Sequence, residues 1–192
     1  MAVYTKVYDS YAQAERAVND LEAMNIPSSD ISLVANKYVS DKYENVEESS
    51  AASGAGVGAA VGGGAGLLAG LGLLAIPGLG PVVAAGWLAA TAVGAIAGGA
   101  TGGIIGAMVS SGVPEHDAHV YSEAVRRGGT LLTVRTQNDD PRIDAALNEH
   151  GPIDASARRS EYASSGWDTF DPAAPVYRPS QTEIERMRRN YE

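Results

Sequence analysis

The chain of 192 residues contains no cysteine and has relatively few basic side chains. The absence of cysteine excludes disulfides, thiolate metal sites and thiol catalysis. Lysine and arginine together number 14 against 23 aspartates and glutamates, which gives a net charge of −9. Because a phosphate backbone is bound by clustered basic side chains, we do not expect nucleic acid binding. No apolar segment follows a basic start at the N-terminus, so no cleaved signal peptide is evident and a cytoplasmic-side location is the default expectation.

The motifs of common enzyme classes are also missing. No Gly-x-x-x-x-Gly-Lys-Ser/Thr phosphate loop occurs, and the glycine-dense segment has no lysine. The nearest dinucleotide pattern, Gly70-x-Gly72-x-x-Ala75, runs into Pro77 without a strand–turn–helix context. There is no Gly-x-Ser-x-Gly elbow, and only three histidines are present to activate a nucleophile. We therefore predict a protein that is not an enzyme, with no catalytic residues and no cofactor.

One group of side chains has metal-binding chemistry. His116, His119 and Glu123 share a face of a predicted helix. Two histidines and a carboxylate do form metal sites, but their usual frame is His-Glu-x-x-His or a similar motif. Here the spacing is three residues in a helix rich in charge, which is more typical of a solvated helix face. We predict no metal site.

Glycine is concentrated in the middle of the chain, where 19 of the 23 glycines lie between Gly54 and Gly112. The segment from Ser49 to Pro114 has no charged residue, whereas the flanks carry net charges of −5 and −4. Small residues recur there at every fourth position, which on a helix makes a groove that lets two backbones approach closely. The helix-packing residues predicted on this basis are Gly54, Gly58, Gly62, Gly66, Gly70, Gly86, Gly94, Gly98, Gly102 and Gly106, with Ala90 in the second ladder.

A turn signal divides this segment into two apolar runs, Val57–Ile76 and Val82–Val109. Each run exceeds or equals the roughly 20 helical residues that cross a bilayer. We predict a helical hairpin in the bacterial inner (cytoplasmic) membrane with both flanks cytoplasmic. The alternatives are a cytoplasmic assembly that buries the hairpin between subunits, and a disordered linker. The predicted turn residues are Pro77, Gly78, Gly80 and Pro81.

The N-terminal flank, residues 1–48, has the pattern of a β-α-β unit. Val3, Thr5 and Val7 alternate with larger polar residues, which predicts a strand. Ser10 and Gln13 form a capping box that opens a helix over residues 11–25. A second strand is predicted over Ile31–Ala35.

The C-terminal flank, residues 114–157, repeats this arrangement after a helix that begins at Pro114 and is stopped by Gly128-Gly129. A strand is predicted over Thr130–Thr136, a helix after Asp139-Asp140-Pro141, and a short final strand over Ile153–Ala155. The fold class is therefore predicted as α+β: a ferredoxin-like β-α-β/β-α-β sandwich, with two helices on one face, interrupted by the hairpin over residues 49–113. Residues 158–192 are predicted as a tail that ends in a short helix.

The flanks resemble a bacterial general-stress or heat-induced stress-protein domain of the YflT type. The residues that carry the resemblance are Val7-Tyr8-Asp9-Ser10, Ala14, Ala17-Val18, Gly112-Val113-Pro114-Glu115, Ala118, Arg127-Gly128-Gly129-Thr130-Leu131-Leu132-Thr133-Val134 and Ser165-Gly166-Trp167. In similar proteins a glycine-rich apolar hairpin interrupts the domain. The resemblance covers roughly 165 residues and implies a stress-linked, membrane-associated or oligomeric protein without established catalysis. It supplies no site residues.

These observations together predict a non-enzymatic, stress-associated bacterial protein that is attached to membrane lipid and self-associates through a glycine zipper. One alternative is a soluble homo-oligomer that buries the hairpin between subunits. Another is an α+β module that senses a small molecule of unknown identity, because ferredoxin-like folds often do so.

Overall fold

The computed structural model describes residues 1–36, 72–76, 80–88, 91 and 103–174, which form an α+β fold. The strands are β1 (Ala2–Tyr8), β2 (Ile31–Asn36), β3 (Gly72–Ile76), β4 (Gly80–Ala85) and β5 (Thr130–Thr136). The helices are α1 (Tyr11–Ala23), α2 (Gly103–Ser110), α3 (Glu115–Arg126), α4 (Pro141–Glu149) and α5 (Ala155–Ser164), with a 3₁₀ turn at Ser28–Asp30.

The five strands form one sheet in the order β1-β5-β2-β4-β3, and every neighbouring pair is antiparallel. Strand β5 lies between β1 and β2 and places Thr133 opposite Thr5 of β1 and opposite Ser32 of β2. Since β1 and β2 are both antiparallel to β5, they run parallel to each other. The two flanks of the chain therefore contribute to the same sheet.

Helices cover both faces of the sheet, whereas the sequence predicted cover on one face only. On one face α1 and α4 pack over Tyr8, Leu33 and Leu132. On the other face α2 and α3 pack over Val7 and Leu131. Successive residues of a strand point to opposite faces, so adjacent buried residues feed two separate cores. The second core exists because α3 also has an apolar stripe. The predicted two-helix sandwich did not include that helix.

The first helix confirms the predicted capping box. The Ser10 hydroxyl accepts a hydrogen bond from the backbone N–H of Gln13, and the Gln13 side chain accepts one from the Ser10 N–H over 3.1 Å. The helix ends at Ala23, slightly before the predicted limit, and Asn25 takes a positive φ of 62°. Asparagine is one of the few residues that adopt this left-handed conformation readily, so the chain turns there.

The prediction of two continuous helices over Val57–Ile76 and Val82–Val109 is wrong where the structure describes them as strands. Residues 72–76 form β3, and residues 80–85 form β4. The physical reason is the free edge of β2, whose backbone groups need partners: β4 supplies them, with Leu33 opposite Ala85. The chain does reverse between Ile76 and Gly80, but it joins two strands. Gly80 and Pro81 lie in β4, while Pro77 and Gly78 fall outside the described residues.

Gly86 is not a helix-packing residue. It follows β4 with a φ of +90°, and a Cβ built on it would lie 2.3 Å from the carbonyl oxygen of Ile31. Its lack of a side chain lets the chain lie against β2. Gly106 does lie in α2, but a Cβ there would meet nothing within 4 Å in the part of the chain that the structure describes. The remaining predicted packing residues fall outside the described residues: Gly54, Gly58, Gly62, Gly66, Gly70, Gly94, Gly98 and Gly102.

Part of the second apolar run is helical. Helix α2 covers residues 103–110, and Ile104, Ala107 and Met108 are buried in the core shared with α3. None of the helices in the described ranges has the length and apolar character needed to cross a bilayer.

The predicted short strand over Ile153–Ala155 is wrong, because Asp154 instead caps the helix α5. Its carboxylate accepts a hydrogen bond from the Ala157 N–H over 2.7 Å. Helix α5 replaces the start of the predicted tail. The predicted helix at the C-terminus lies outside the described residues.

Candidate functional site

The side chain with the densest set of charged contacts is Glu123 of α3, which is 1% exposed. The guanidinium of Arg126 donates to both of its carboxylate oxygens over 2.8 Å. Arg127 donates to the Oε1 atom over 2.6 Å. A buried carboxylate is costly unless it is paired and hydrogen-bonded, and here both conditions hold. Glu123 is thus committed to two arginines, which accounts for it without a metal.

Arg127 also joins α3 to α5. Its guanidinium lies 4.3 Å from the ring centroid of Tyr162, a distance suited to a cation–π contact. The ring of Trp167 meets Tyr162 edge to face, with centroids 5.6 Å apart. Burial raises the pKa of Tyr162 to about 12, although nearby Arg158 and Arg127 act in the opposite direction. Carboxylate, guanidinium and aromatic rings form a packed link that holds α5 against α3.

The two histidines predicted to share a helix face with Glu123 make separate contacts. His116 lies 3.4 Å from Asp117, with its imidazole largely exposed. His119 places its Nδ1 atom 2.9 Å from the hydroxyl of Thr169. In the described ranges no group of three or more histidine, aspartate or glutamate side chains is arranged to hold a metal ion. The structure therefore does not bring together the three residues that the sequence placed on one face.

An open depression of about 370 Å³ lies where the first turn of α3 meets the segment after α5. Its lining consists of Glu115, His116, His119, Arg159, Trp167, Asp168 and Thr169. The lining contains basic side chains as well as the carboxylates of Glu115 and Asp168, so no single sign of charge dominates the depression. The Thr169–His119 pair is exposed. A hydroxyl activated by histidine also needs a third group to orient the base and donors for the developing oxyanion, so this pair alone does not form a catalytic site.

The third histidine joins two helices on the opposite face of the sheet. His150, at the end of α4, places its Nε2 atom 2.6 Å from a carboxylate oxygen of Asp20 in α1. The Gln13 side chain donates to the carbonyl of His150 over 3.2 Å. These contacts tie α1 to α4, so His150 has a structural role.

Sequence reasoning did not anticipate several buried polar atoms that lack hydrogen-bond partners among the described residues. Thr5 and Thr133 are opposite one another in the register, and both hydroxyls are buried without a hydrogen-bond partner in the described part of the chain. The indole N–H of Trp87 is also buried, and it has no partner among the same residues. The sequence contained one signal of this burial, because the alternation of Val3, Thr5 and Val7 places Thr5 on the same face of the strand as two valines.

The chain matches no protein-family model, no curated protein and no solved structure.

Proposed function

We propose that this chain is a non-enzymatic protein of the bacterial stress-protein type, which self-associates by burying its charge-free segment between copies. One observation carries the proposal. The sheet of the α+β domain continues into the charge-free segment, because β4 pairs with β2 and β3 pairs with β4. Residues 72–76 and 80–85 of the segment are therefore an extension of the folded domain along one edge of its sheet.

We also propose that the domain has a ferredoxin-like core. The order β1-β5-β2, with β1 and β2 parallel, is the order of three of the four strands in that fold. On the outer side of β1, the N–H of Ile153 donates to the carbonyl of Val7 over 2.8 Å. In a ferredoxin-like fold the fourth strand would pair with this side of β1. Among the described residues, the Ile153 N–H makes one backbone hydrogen bond at that position.

Chain length supports self-association over a membrane-spanning hairpin. Asn36, Gly72, Leu88 and Ile104 all belong to one domain, so each intervening segment begins and ends at that domain. Crossing a bilayer twice needs about 40 helical residues. The charge-free residues available are 49–71 in the first segment and 89–103 in the second, and neither suffices for two crossings.

Composition supports the same proposal. Residues 49–71 contain no charge and are rich in glycine and alanine. Glycine in a helix costs about 1 kcal/mol relative to alanine, so a helix in this segment would need contacts from outside itself. Burial of apolar surface gains about 25 cal/mol per Å², and close packing against another copy would supply that surface.

A second candidate is attachment to a membrane surface without crossing it. It is favoured by the absence of charged side chains from residues 49–71, since no charge would have to lose its water at the lipid boundary. In that case the segment would lie in the lipid interface while the domain stays on one side.

Light scattering during size-exclusion chromatography of the full chain, over a range of concentrations, tests the main proposal. We expect an oligomer in the supernatant of carbonate-washed membranes, and a smaller species for the double variant Gly62→Leu with Gly98→Leu. The matched control, Ala59→Leu with Ala97→Leu, introduces the same side chain beside the glycine ladders, with one carbon less of added bulk at each position, and should retain the oligomer. A monomer at all concentrations contradicts self-association. Co-sedimentation with membranes that the carbonate wash reverses favours the second candidate, whereas retention through the wash favours a membrane-spanning hairpin.

A further inference from the structure

The two edges of the sheet differ. At the β1 edge, the N–H of Ile153 donates to Val7, and the ammonium of Lys6 lies 2.9 Å from the carboxylate of Asp144. At the opposite edge, β3 has the sequence Gly-Leu-Leu-Ala-Ile, with no charge and no proline. In the described part of the chain, β4 is its sole strand neighbour. Natural proteins protect the edges of sheets with lysine, proline, bulges or a covering element. The sequence of β3 contains neither lysine nor proline.

We propose that β3 pairs with β3 of a second copy, so that one sheet continues through a two-fold dimer. This inference rests on the proposed self-association and names the surface that performs it. An antiparallel edge is complementary to its own copy after a two-fold rotation, because each N–H then meets a carbonyl. The uncharged sequence from Gly72 to Ile76 brings no like charges together when it meets itself.

The register of β3 with β4 fixes the centre of the proposed pairing between two copies of β3. Pro81 lies opposite Ala75. Since proline has no N–H to donate, it fits where its nitrogen faces away from β3. The ladder then turns the N–H and carbonyl groups of Leu73 and Ala75 toward the open edge. A two-fold axis at Leu74 pairs Leu73 with Ala75 of the partner subunit, and places residue 74 opposite its own copy.

A single introduced cysteine tests this register, because the chain contains no other. In Leu74→Cys the two thiols would lie across a non-hydrogen-bonded pair, where Cβ atoms approach closely enough for a disulfide after a small shift. We expect mild oxidation to give a covalent dimer in high yield. The matched control is Ser160→Cys, on an exposed position of α5, which should stay largely monomeric. Equal cross-linking of the two variants overturns the proposal.

A second variant tests the edge without a covalent bond. Ala75→Pro removes one outward N–H and leaves the ladder to β4 intact, so we expect at least a tenfold weaker association. Ala75→Val, which keeps the N–H, should associate like the wild type. Circular dichroism checks that each variant is folded, and if Ala75→Pro does not fold, the cross-linking yield of Leu74→Cys decides.

The two proposals fail in different ways. If Gly62→Leu with Gly98→Leu abolishes association while Ala75→Pro leaves it unchanged, the copies associate through the glycine ladders and the β3 edge proposal is overturned. If the wild type is monomeric at every concentration, both are overturned. Loss of association in Ala75→Pro, together with the covalent dimer of Leu74→Cys, supports the edge.

Discussion

The hydroxyl of Tyr8, at the end of β1, donates a 2.9 Å hydrogen bond to the main-chain carbonyl of Leu147 in α4. Both residues are completely buried. The last carbonyls of a helix lack partners within it, and this hydroxyl satisfies one of them. Burial, with a smaller contribution from the charge of Asp144, raises the pKa of Tyr8, so the phenol keeps its proton at neutral pH. The bond therefore joins the sheet to the end of a helix.

Removing that hydroxyl should destabilise the domain modestly. Tyr8→Phe keeps the ring in the core but leaves the Leu147 carbonyl without its donor, so we expect the free energy of unfolding to fall by about 1 kcal/mol. Urea denaturation followed by circular dichroism measures this. Tyr8→Leu, which also loses the ring, should cost more. A midpoint for Tyr8→Phe equal to that of the wild type would show that the bond contributes nothing.

Removing a different hydroxyl should have the opposite effect. Thr133 is fully buried in β5, and its Oγ1 atom has no hydrogen-bond partner among the described residues. Thr133→Val keeps the shape and removes a group that lost its water on folding, so we expect a gain of about 1 kcal/mol in unfolding free energy. The control is Thr136→Val in the same strand, because the Thr136 hydroxyl donates to Asn138 over 2.6 Å. That variant should be slightly less stable. A loss of stability in Thr133→Val would contradict the absence of a partner.

The elements predicted well are those whose signals are local. The capping box of Ser10 and Gln13 and the apolar spacing of Ala14, Val18 and Leu21 specify α1 without reference to the rest of the chain. Strand β5 was predicted from a short apolar, β-branched run. Such patterns depend on neighbours within a few residues, which one sequence does contain.

The elements that were missed depend on distant partners. Residues 72–76 and 82–85 were predicted as helical because they lie in charge-free runs of bilayer-spanning length with small residues at every fourth position. The open edge of β2 that stabilises them as strands is not visible in their own sequence. The link from Glu123 through Arg127 to Tyr162 was missed for the same reason, since it joins two separate helices. For α5 there was a local signal, the capping carboxylate of Asp154, but the charged sequence that follows has little apolar periodicity.

Alkaline pH should weaken the contact between α3 and α5. The pKa of Tyr162 is raised to about 12, so the folded state holds this proton more tightly than the unfolded state does. The resulting stability is fully present below the ordinary pKa of 10.0 and is lost as the pH rises through about 12. Tyr8, whose pKa is also raised, acts in the same direction. We expect the free energy of unfolding to decrease across this window, as measured by urea titrations at successive pH values.

Tyr162→Phe separates the contribution of Tyr162 from that of Tyr8. The variant lacks the group whose ionisation is suppressed, so its stability should decrease less steeply above pH 10 than that of the wild type. Tyr8→Phe is the matched variant in the other core. It should reduce the decrease of unfolding free energy with pH by the contribution of Tyr8 alone. Identical slopes for wild type and Tyr162→Phe would contradict the shift.

The two glycines of the ladder that the structure describes should respond oppositely to alanine. At Gly86 the φ of +90° and the 2.3 Å approach to the Ile31 carbonyl leave no room for a methyl group, so Gly86→Ala should cost at least about 2 kcal/mol. At Gly106 a Cβ meets nothing within 4 Å among the described residues. Since alanine is the better helix former, Gly106→Ala should gain about 0.5–1 kcal/mol. Thermal and urea unfolding of both variants measures the difference. If Gly106→Ala instead loses as much as Gly86→Ala, a second helix must pack on that glycine, and the ladder would have the helix-packing role that the sequence predicted.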